Sequence, residues 1–317
     1  MNFQPYELFD MKTDFDIIII GAGPAGLTAG IYASRSKANV LIVDSGIPGG
    51  QTILTHEIAN YPGIESTSGY MLASTMKKQA ETFGCTIKSN VKLEDIDLES
   101  EVKKISLSNG DSFTAKSIIL ATGGRSKTIG VKGENKFKGR GISYCATCDG
   151  DFFQDKEIIV IGGGNSALEE AVSLTKYASK VTVIHMLNNW QAFDHAIEEM
   201  KANDKIDYIL GSRITEFNGE GALKEVTIEN IAENKTYAKK IDGVFIFIGY
   251  EANTDFIQDK GVTLNDRNEI IADKDMQTNI SGVFAAGDAL NKKYRQVTTA
   301  VSDGTIAALS ALEYIHK

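Results

Sequence analysis

Five consecutive residues in this sequence have the types and spacing to move electrons. Cys145-Ala146-Thr147-Cys148-Asp149 sets two thiols three positions apart, with a carboxyl beside the second. Cysteines at that spacing on a helix start lower one thiol pKa and close a small reversible disulfide. Asp149 is placed to relay a proton to a departing thiolate. The other chemistry open to such a pair is half of a zinc site. Zinc takes about four ligands. The remaining candidates are Cys85 and the scattered His56, His185, His195 and His316, none at ligand spacing. The pair therefore reads as redox-active, with no metal. Cys85 reads as a small buried hydrophobe.

A second group of residues is suited to holding a phosphate. Gly21-x-Gly23-x-x-Gly26 follows the apolar run Ile17–Ile20 and opens a helical pattern beginning Pro24-Ala25. The first glycine permits the tight turn, the second lets backbone approach a pyrophosphate, and the third lets helix and strand pack closely. Asp44 ends the next β-branched run, Val40–Val43, where a carboxylate accepts from ribose hydroxyls. The plan recurs 141 residues later. Glu157–Ile161 leads into Gly162-x-Gly164-x-x-Ala167, then a helical pattern, then Val181–Ile184, with His185 where Asp44 stands in the first copy.

Elements of a definite kind must position these residues. Each copy is a strand, a glycine turn, a helix and a second strand, which is a βαβ unit with a parallel sheet. The fold class expected is α/β, with two dinucleotide-binding, Rossmann-like domains and the second inserted into the first. The boundaries expected are 1–117 with 250–317 for the first domain, and 118–249 for the inserted one carrying the dithiol. Gly282–Asp288 and the helical pattern after it complete the first domain.

The whole chain agrees with this. Its 317 residues suit about two domains. A net charge of −9 argues against nucleic acid or an anionic membrane as partner. No apolar run approaches the ~20 residues of a membrane helix, and the N-terminus lacks a secretory core. The expectation is a cytoplasmic protein.

Over nearly its whole length the chain resembles the low-molecular-weight thioredoxin reductases. The matching pieces are Gly21–Gly26, Gly49-Gly50-Gln51, Asn60-Tyr61-Pro62-Gly63, Ala121-Thr122-Gly123, Cys145–Asp149, Gly287-Asp288 and Arg295-Gln296-Val297. The resemblance implies FAD in the first domain, thioredoxin as substrate and a homodimer. It also implies roles. Cys148 exchanges with the flavin, Cys145 attacks the thioredoxin disulfide, and Asp149 gives and takes protons. The cofactor contacts implied are Gly21, Gly23, Pro24, Ala25, Gly26, Asp44, Gly50, Gln51, Asn60, Ala121, Thr122 and Gly123. Gly287 and Asp288 are implied at the FAD diphosphate and ribityl chain, and Arg295, Gln296 and Val297 along the isoalloxazine.

One departure matters. The family reads His-Arg-Arg-x-x-x-Arg where this chain has His185-Met186-Leu187-Asn188-Asn189-Trp190-Gln191. Those arginines hold the 2′-phosphate of NADPH, which needs paired guanidinium donors. NADH instead wants an acid at the strand end, and His185 is not one. The chain is similar in this to flavin thioredoxin reductases that take electrons from reduced ferredoxin. The alternative is NAD(P)H bound through atypical contacts. Two basic clusters, Lys132/Lys136/Lys138/Arg140 and Lys292/Lys293/Arg295, stand as docking candidates for an acidic donor, against their ordinary use as solvated surface.

Overall fold

The computed structural model describes residues 12–55 and 58–316. His56, weighed above as a metal ligand, lies outside them. The chain divides into two compact units, Met1–Arg125 with Glu251–Lys317, and Ser126–Tyr250.

The first unit begins with β1 (Phe15–Ile20), α1 (Pro24–Arg35), β2 (Val40–Val43), α2 (Gly69–Thr82) and β3 (Thr86–Lys88). It continues through β4 (Leu93–Asp97), β5 (Lys103–Leu107) and β6 (Ser112–Leu120). Ile17–Ile20 and Val40–Val43 are buried on both faces. That is why these strands read as unbroken β-branched runs rather than alternating ones. β1 is central and parallel to both neighbours, with Ile18 opposite Leu41 on one side and Ile118 on the other.

β7 (Gly124–Ser126) leads into the second unit, which holds α3 (Glu134–Phe137), β8 (Ile142–Ser143), α4 (Ala146–Asp149), β9 (Glu157–Ile161) and α5 (Asn165–Leu174). Next come β10 (Lys180–Ile184), α6 (Asp194–Ala202), β11 (Ile206–Ile209), the antiparallel β12 (Ser212–Gly219), β13 (Leu223–Asn230) and β14 (Lys235–Lys240), and β15 (Gly243–Ile246). Its parallel sheet runs β11-β10-β9-β15-β8. The chain returns through β16 (Tyr250–Ala252), which pairs with β7, and ends in β17 (Val283–Ala285) and α7 (Val297–Ile315).

The expected α/β architecture with an inserted unit is present, but the expected first boundary is too early. β6 runs on past residue 117 to Leu120, in register with Ile20 of β1 and Ala285 of β17. Residues 118–125 therefore belong to the first unit. β17 pairs with the last residues of β6, which carries the C-terminal segment back into the first sheet. α7 then packs on α1, where a Cβ on Gly304 would fall 2.1 Å from the carbonyl oxygen of Ala25. Fully buried Leu27, Ile42 and Phe284 share the core between these helices and the sheet, each contributing ~1.5–3 kcal/mol. Among the described residues no helix is long and apolar enough to cross a membrane.

Candidate active site

The dithiol lies where β8 gives way to the short helix α4. Cys145 and Cys148 are joined in a disulfide, with Cα atoms 5.3 Å apart. Cys145 caps α4, and its Sγ accepts the backbone N–H of Cys148 at 3.1 Å. A backbone donor so placed is suited to stabilising a thiolate at Cys145, because hydrogen bonds to ionised acceptors are the stronger ones.

Asp149, at the other end of α4, accepts a 2.5 Å hydrogen bond from the Ser143 hydroxyl. Ser143 also accepts the N–H of Cys145 at 3.1 Å. Burial raises the Asp149 pKa and the Ser143 hydroxyl holds it down. The site therefore has a carboxyl that takes up a proton more readily than an ordinary aspartate. One residue before the dithiol, Tyr144 donates to Glu134 at 2.6 Å. Glu134 is buried and also accepts the N–H groups of Ile129 and Gly130. Burial and this carboxylate together push the Tyr144 hydroxyl pKa up.

The first glycine turn fits a diphosphate. Gly21 adopts φ +107°, and a Cβ there would fall 2.4 Å from the Ala121 carbonyl oxygen. A Cβ on Gly26 would fall 1.8 Å from the Gly21 carbonyl oxygen. These two glycines are fixed by packing. Gly23 meets nothing within 4 Å, which leaves open space before the start of α1, where Pro24 pre-sets the first turn. Gly50 approaches Gly23 from the following loop, and Gly287 packs on Ala25. The turn, the end of β6 and the start of the final segment thus converge at the carboxyl ends of parallel strands, where open α/β sheets bind ligands. Gln51, which follows Gly50, and Asn60 are both exposed. Asp44 is already used by backbone, accepting from Ala22 N–H at 2.6 Å and Gly46 N–H at 2.7 Å.

The C-terminal motif is tied down by residues the sequence reading missed. Gly287 N–H donates to Asp303 of α7 at 3.1 Å. Lys292 reaches Asp303 at 2.6 Å and Asp288 at 3.5 Å. Burial raises the Asp288 pKa, and Lys292 and Arg295 oppose that. Arg295 pairs with buried Glu269, and Gln296 caps α7 ahead of Val297. Asn253 clasps the end of β6 through the Thr122 hydroxyl and carbonyl. Lys292 and Arg295 are thus internal ion-pair members, so the cluster proposed for docking keeps only Lys293 exposed. In the other cluster Lys138 is half-buried over the Tyr144 ring, while Lys132, Lys136 and Arg140 are exposed.

The second glycine turn has the same backbone plan with different side chains. In both copies the following loop donates to the turn: Gly49 N–H to the Ala22 carbonyl, and Gln191 N–H to the Gly163 carbonyl, each at 2.7 Å. His185 is buried with its ring against Gly163 and parallel to Trp190, centroids 5.8 Å apart. Met186 and Leu187 are 55% and 43% exposed, and Gln191 is also exposed. Among the described residues no three His, Cys, Asp or Glu side chains gather as a metal site.

Known proteins share this arrangement. The family model for pyridine nucleotide-disulphide oxidoreductases matches residues 15–304. A thioredoxin reductase of Peptoclostridium acidaminophilum is 42% identical, over 96% of this chain and 98% of that one. A Clostridium pasteurianum protein, named as a 34.2 kDa protein in a rubredoxin operon, is also 42% identical over the same shares. The crystal structure of thioredoxin reductase from Streptococcus pyogenes superposes with a TM-score of 0.92 at 40% identity, covering 95% of this chain and 98% of that one. Proteins of this kind bind FAD, and the open seat at Gly23 fits that cofactor's diphosphate. The chain belongs to the pyridine nucleotide-disulphide oxidoreductase family, among the low-molecular-weight thioredoxin reductases.

Proposed function

We propose that this chain, as a homodimer, reduces the disulfide of thioredoxin through Cys145 and Cys148, with electrons from reduced ferredoxin. FAD, when bound, supplies the electron pair that the disulfide consumes. Gly21, Gly23, Gly26, Gly287 and Asp288 would hold it.

The chain's own residues do the rest. The Cys145 thiolate, stabilised by the Cys148 N–H, attacks one sulfur of the thioredoxin disulfide. That bond breaks, its electron pair leaves on the second thioredoxin sulfur, and Asp149 gives that sulfur a proton. Cys148 then passes its proton to Asp149 and attacks Cys145 Sγ. The mixed disulfide breaks, its thioredoxin sulfur leaves with the electron pair and takes the proton from Asp149, thioredoxin departs as a dithiol, and the Cys145–Cys148 bond re-forms.

The observation that carries the donor reading is the loop after β10. The positions that hold a 2′-phosphate in the resembling family are Met186, Leu187 and Gln191 here, all exposed and none cationic. A charge-assisted contact contributes ~1.5–3 kcal/mol. Losing three, with overlap, costs on the order of 10²–10⁴ in affinity. A second reading has one observation in its favour. Gly164 has only the Gln191 carbonyl oxygen near it, at 3.8 Å from its Cβ position, so backbone space for a pyrophosphate persists. NAD(P)H bound without the arginines is that reading. Anaerobic mixing of the oxidised holoenzyme with each donor separates the two: flavin bleaching by ferredoxin and not by NADPH or NADH supports the first.

A further inference from the structure

Ser143 is joined by hydrogen bonds to both ends of α4. It is buried on β8, the edge strand of the inserted sheet, where it lies opposite Phe245 of β15. A residue on a paired strand is held more firmly than one on a loop. Its hydroxyl oxygen accepts the Cys145 N–H at 3.1 Å and lies 2.5 Å from Asp149 Oδ2. A second acceptor, the carbonyl oxygen of Cys145, lies 3.3 Å away. A hydroxyl has one proton to donate and two lone pairs to accept with. It therefore cannot serve Asp149 and the Cys145 carbonyl at once, and the shorter contact wins while Asp149 is ionised.

We propose that Ser143 is the positioning residue that lets Asp149 change protonation state without leaving the dithiol: its hydroxyl turns between the Asp149 carboxylate and the Cys145 carbonyl.

The inference rests on the reading of Asp149 as proton donor and acceptor. With Asp149 ionised, Ser143 donates to the carboxylate and accepts from Cys145 N–H. When Asp149 gains a proton, its own O–H donates to the Ser143 oxygen, and the serine proton swings to the Cys145 carbonyl. Every polar group keeps a partner in both states. Without this exchange, one of the two states would leave a half-buried donor or acceptor unpaired, which is the expensive outcome. When Asp149 releases its proton to a leaving thiolate, the serine proton returns to the carboxylate. The rotation follows the proton and moves no heavy atom.

The test uses FAD-loaded enzyme reduced photochemically and mixed with oxidised thioredoxin in a single turnover, so the natural donor plays no part. Ser143→Ala is expected to slow thiol–disulfide exchange about 10- to 100-fold. Ser143→Thr, which keeps the hydroxyl, is expected within about threefold of the parent rate. Ser143→Val, with the shape of threonine and no hydroxyl, is expected to be slow like alanine, which separates hydrogen bonding from packing. Ser143→Ala combined with Asp149→Asn is expected to be no slower than Asp149→Asn alone, because the serine acts through the aspartate. Parent-like rates in Ser143→Ala and Ser143→Val, or two effects that multiply in the double variant, would overturn the proposal. An unaffected Asp149→Asn beside a slow Ser143→Ala would remove the reading of Asp149 itself, and the serine would then act on the Cys145 backbone alone.

Discussion

The imidazole of His185 lies where a side chain on Gly163 would have to stand, with three ring atoms 2.4 Å from that Cβ position. The equivalent pair in the first unit, 141 positions earlier, is Asp44 and Ala22, joined by a 2.6 Å hydrogen bond. In both units the residue just after the second strand reaches back to the residue after the first glycine of the turn. In the second unit a ring has replaced a carboxylate, and glycine has replaced alanine to make room for it. The same chemical change, glycine to alanine, should therefore have different consequences at different places in the two turns.

Gly163→Ala should destabilise the inserted unit, since the methyl displaces a buried ring stacked on Trp190. Overpacking of this kind costs ~1–3 kcal/mol, seen as a lower thermal midpoint. Gly23→Ala should leave folding intact, because φ is −72° and nothing lies within 4 Å of the new methyl. That methyl would stand in the proposed diphosphate seat, so FAD affinity should fall at least about tenfold, ~1.4 kcal/mol or more. Tight FAD binding by this variant would argue against the assigned seat.

Replacing either Cys145 or Cys148 by Ser should abolish thioredoxin reduction and leave FAD bound, since exchange needs one sulfur to attack and one to resolve. A steady-state assay beside a flavin spectrum checks both halves. Residual turnover in either variant would contradict the mechanism.

Cys85 should stay unmodified when the reduced protein is treated with iodoacetamide near pH 8. Burial pushes its thiol up to about 12, so almost none is thiolate there. Mass spectrometry should find two carbamidomethyl groups, on Cys145 and Cys148. A third on Cys85 under native conditions would show the thiol to be accessible.

Lys292→Met should lower both the thermal midpoint and the affinity for FAD. Its ammonium is mostly buried between Asp303 and Asp288, and removing one partner of such a group costs ~3–5 kcal/mol when burial is complete and less here. Lys293→Met, at an exposed neighbouring position, should change neither. Equal behaviour of the two variants would mean that the ion pairs do not hold the motif.

These cases separate what the sequence makes legible from what it does not. The two turns, the dithiol and the insertion are legible because each is a local pattern. β-branched runs mark buried strands, and glycines mark close approaches. The repeat of that pattern at one offset gives the topology. The basic cluster at 292–295 misleads because its charges are cancelled by Asp303 and Glu269, 11 and 26 residues away, where no periodicity links them. Ser143, Glu134 and Asn253 escape notice for the same reason. A serine two residues before a cysteine carries no signal until β8 and α4 bring its hydroxyl to Asp149. The first domain boundary slips because β6 runs on into the Ala-Thr-Gly turn, with no break in composition at residue 117.

The electron donor is the central claim, and anaerobic stopped-flow mixing of the oxidised holoenzyme tests it most directly. Flavin absorbance is followed against micromolar NADPH, NADH or reduced ferredoxin. The expected result is fast bleaching by ferredoxin and little or none by either nucleotide, because Met186, Leu187 and Gln191 offer no guanidinium to a 2′-phosphate and His185 offers no carboxylate to a ribose. Fast bleaching by micromolar NADPH would contradict the ferredoxin reading and restore an ordinary nucleotide-driven reductase.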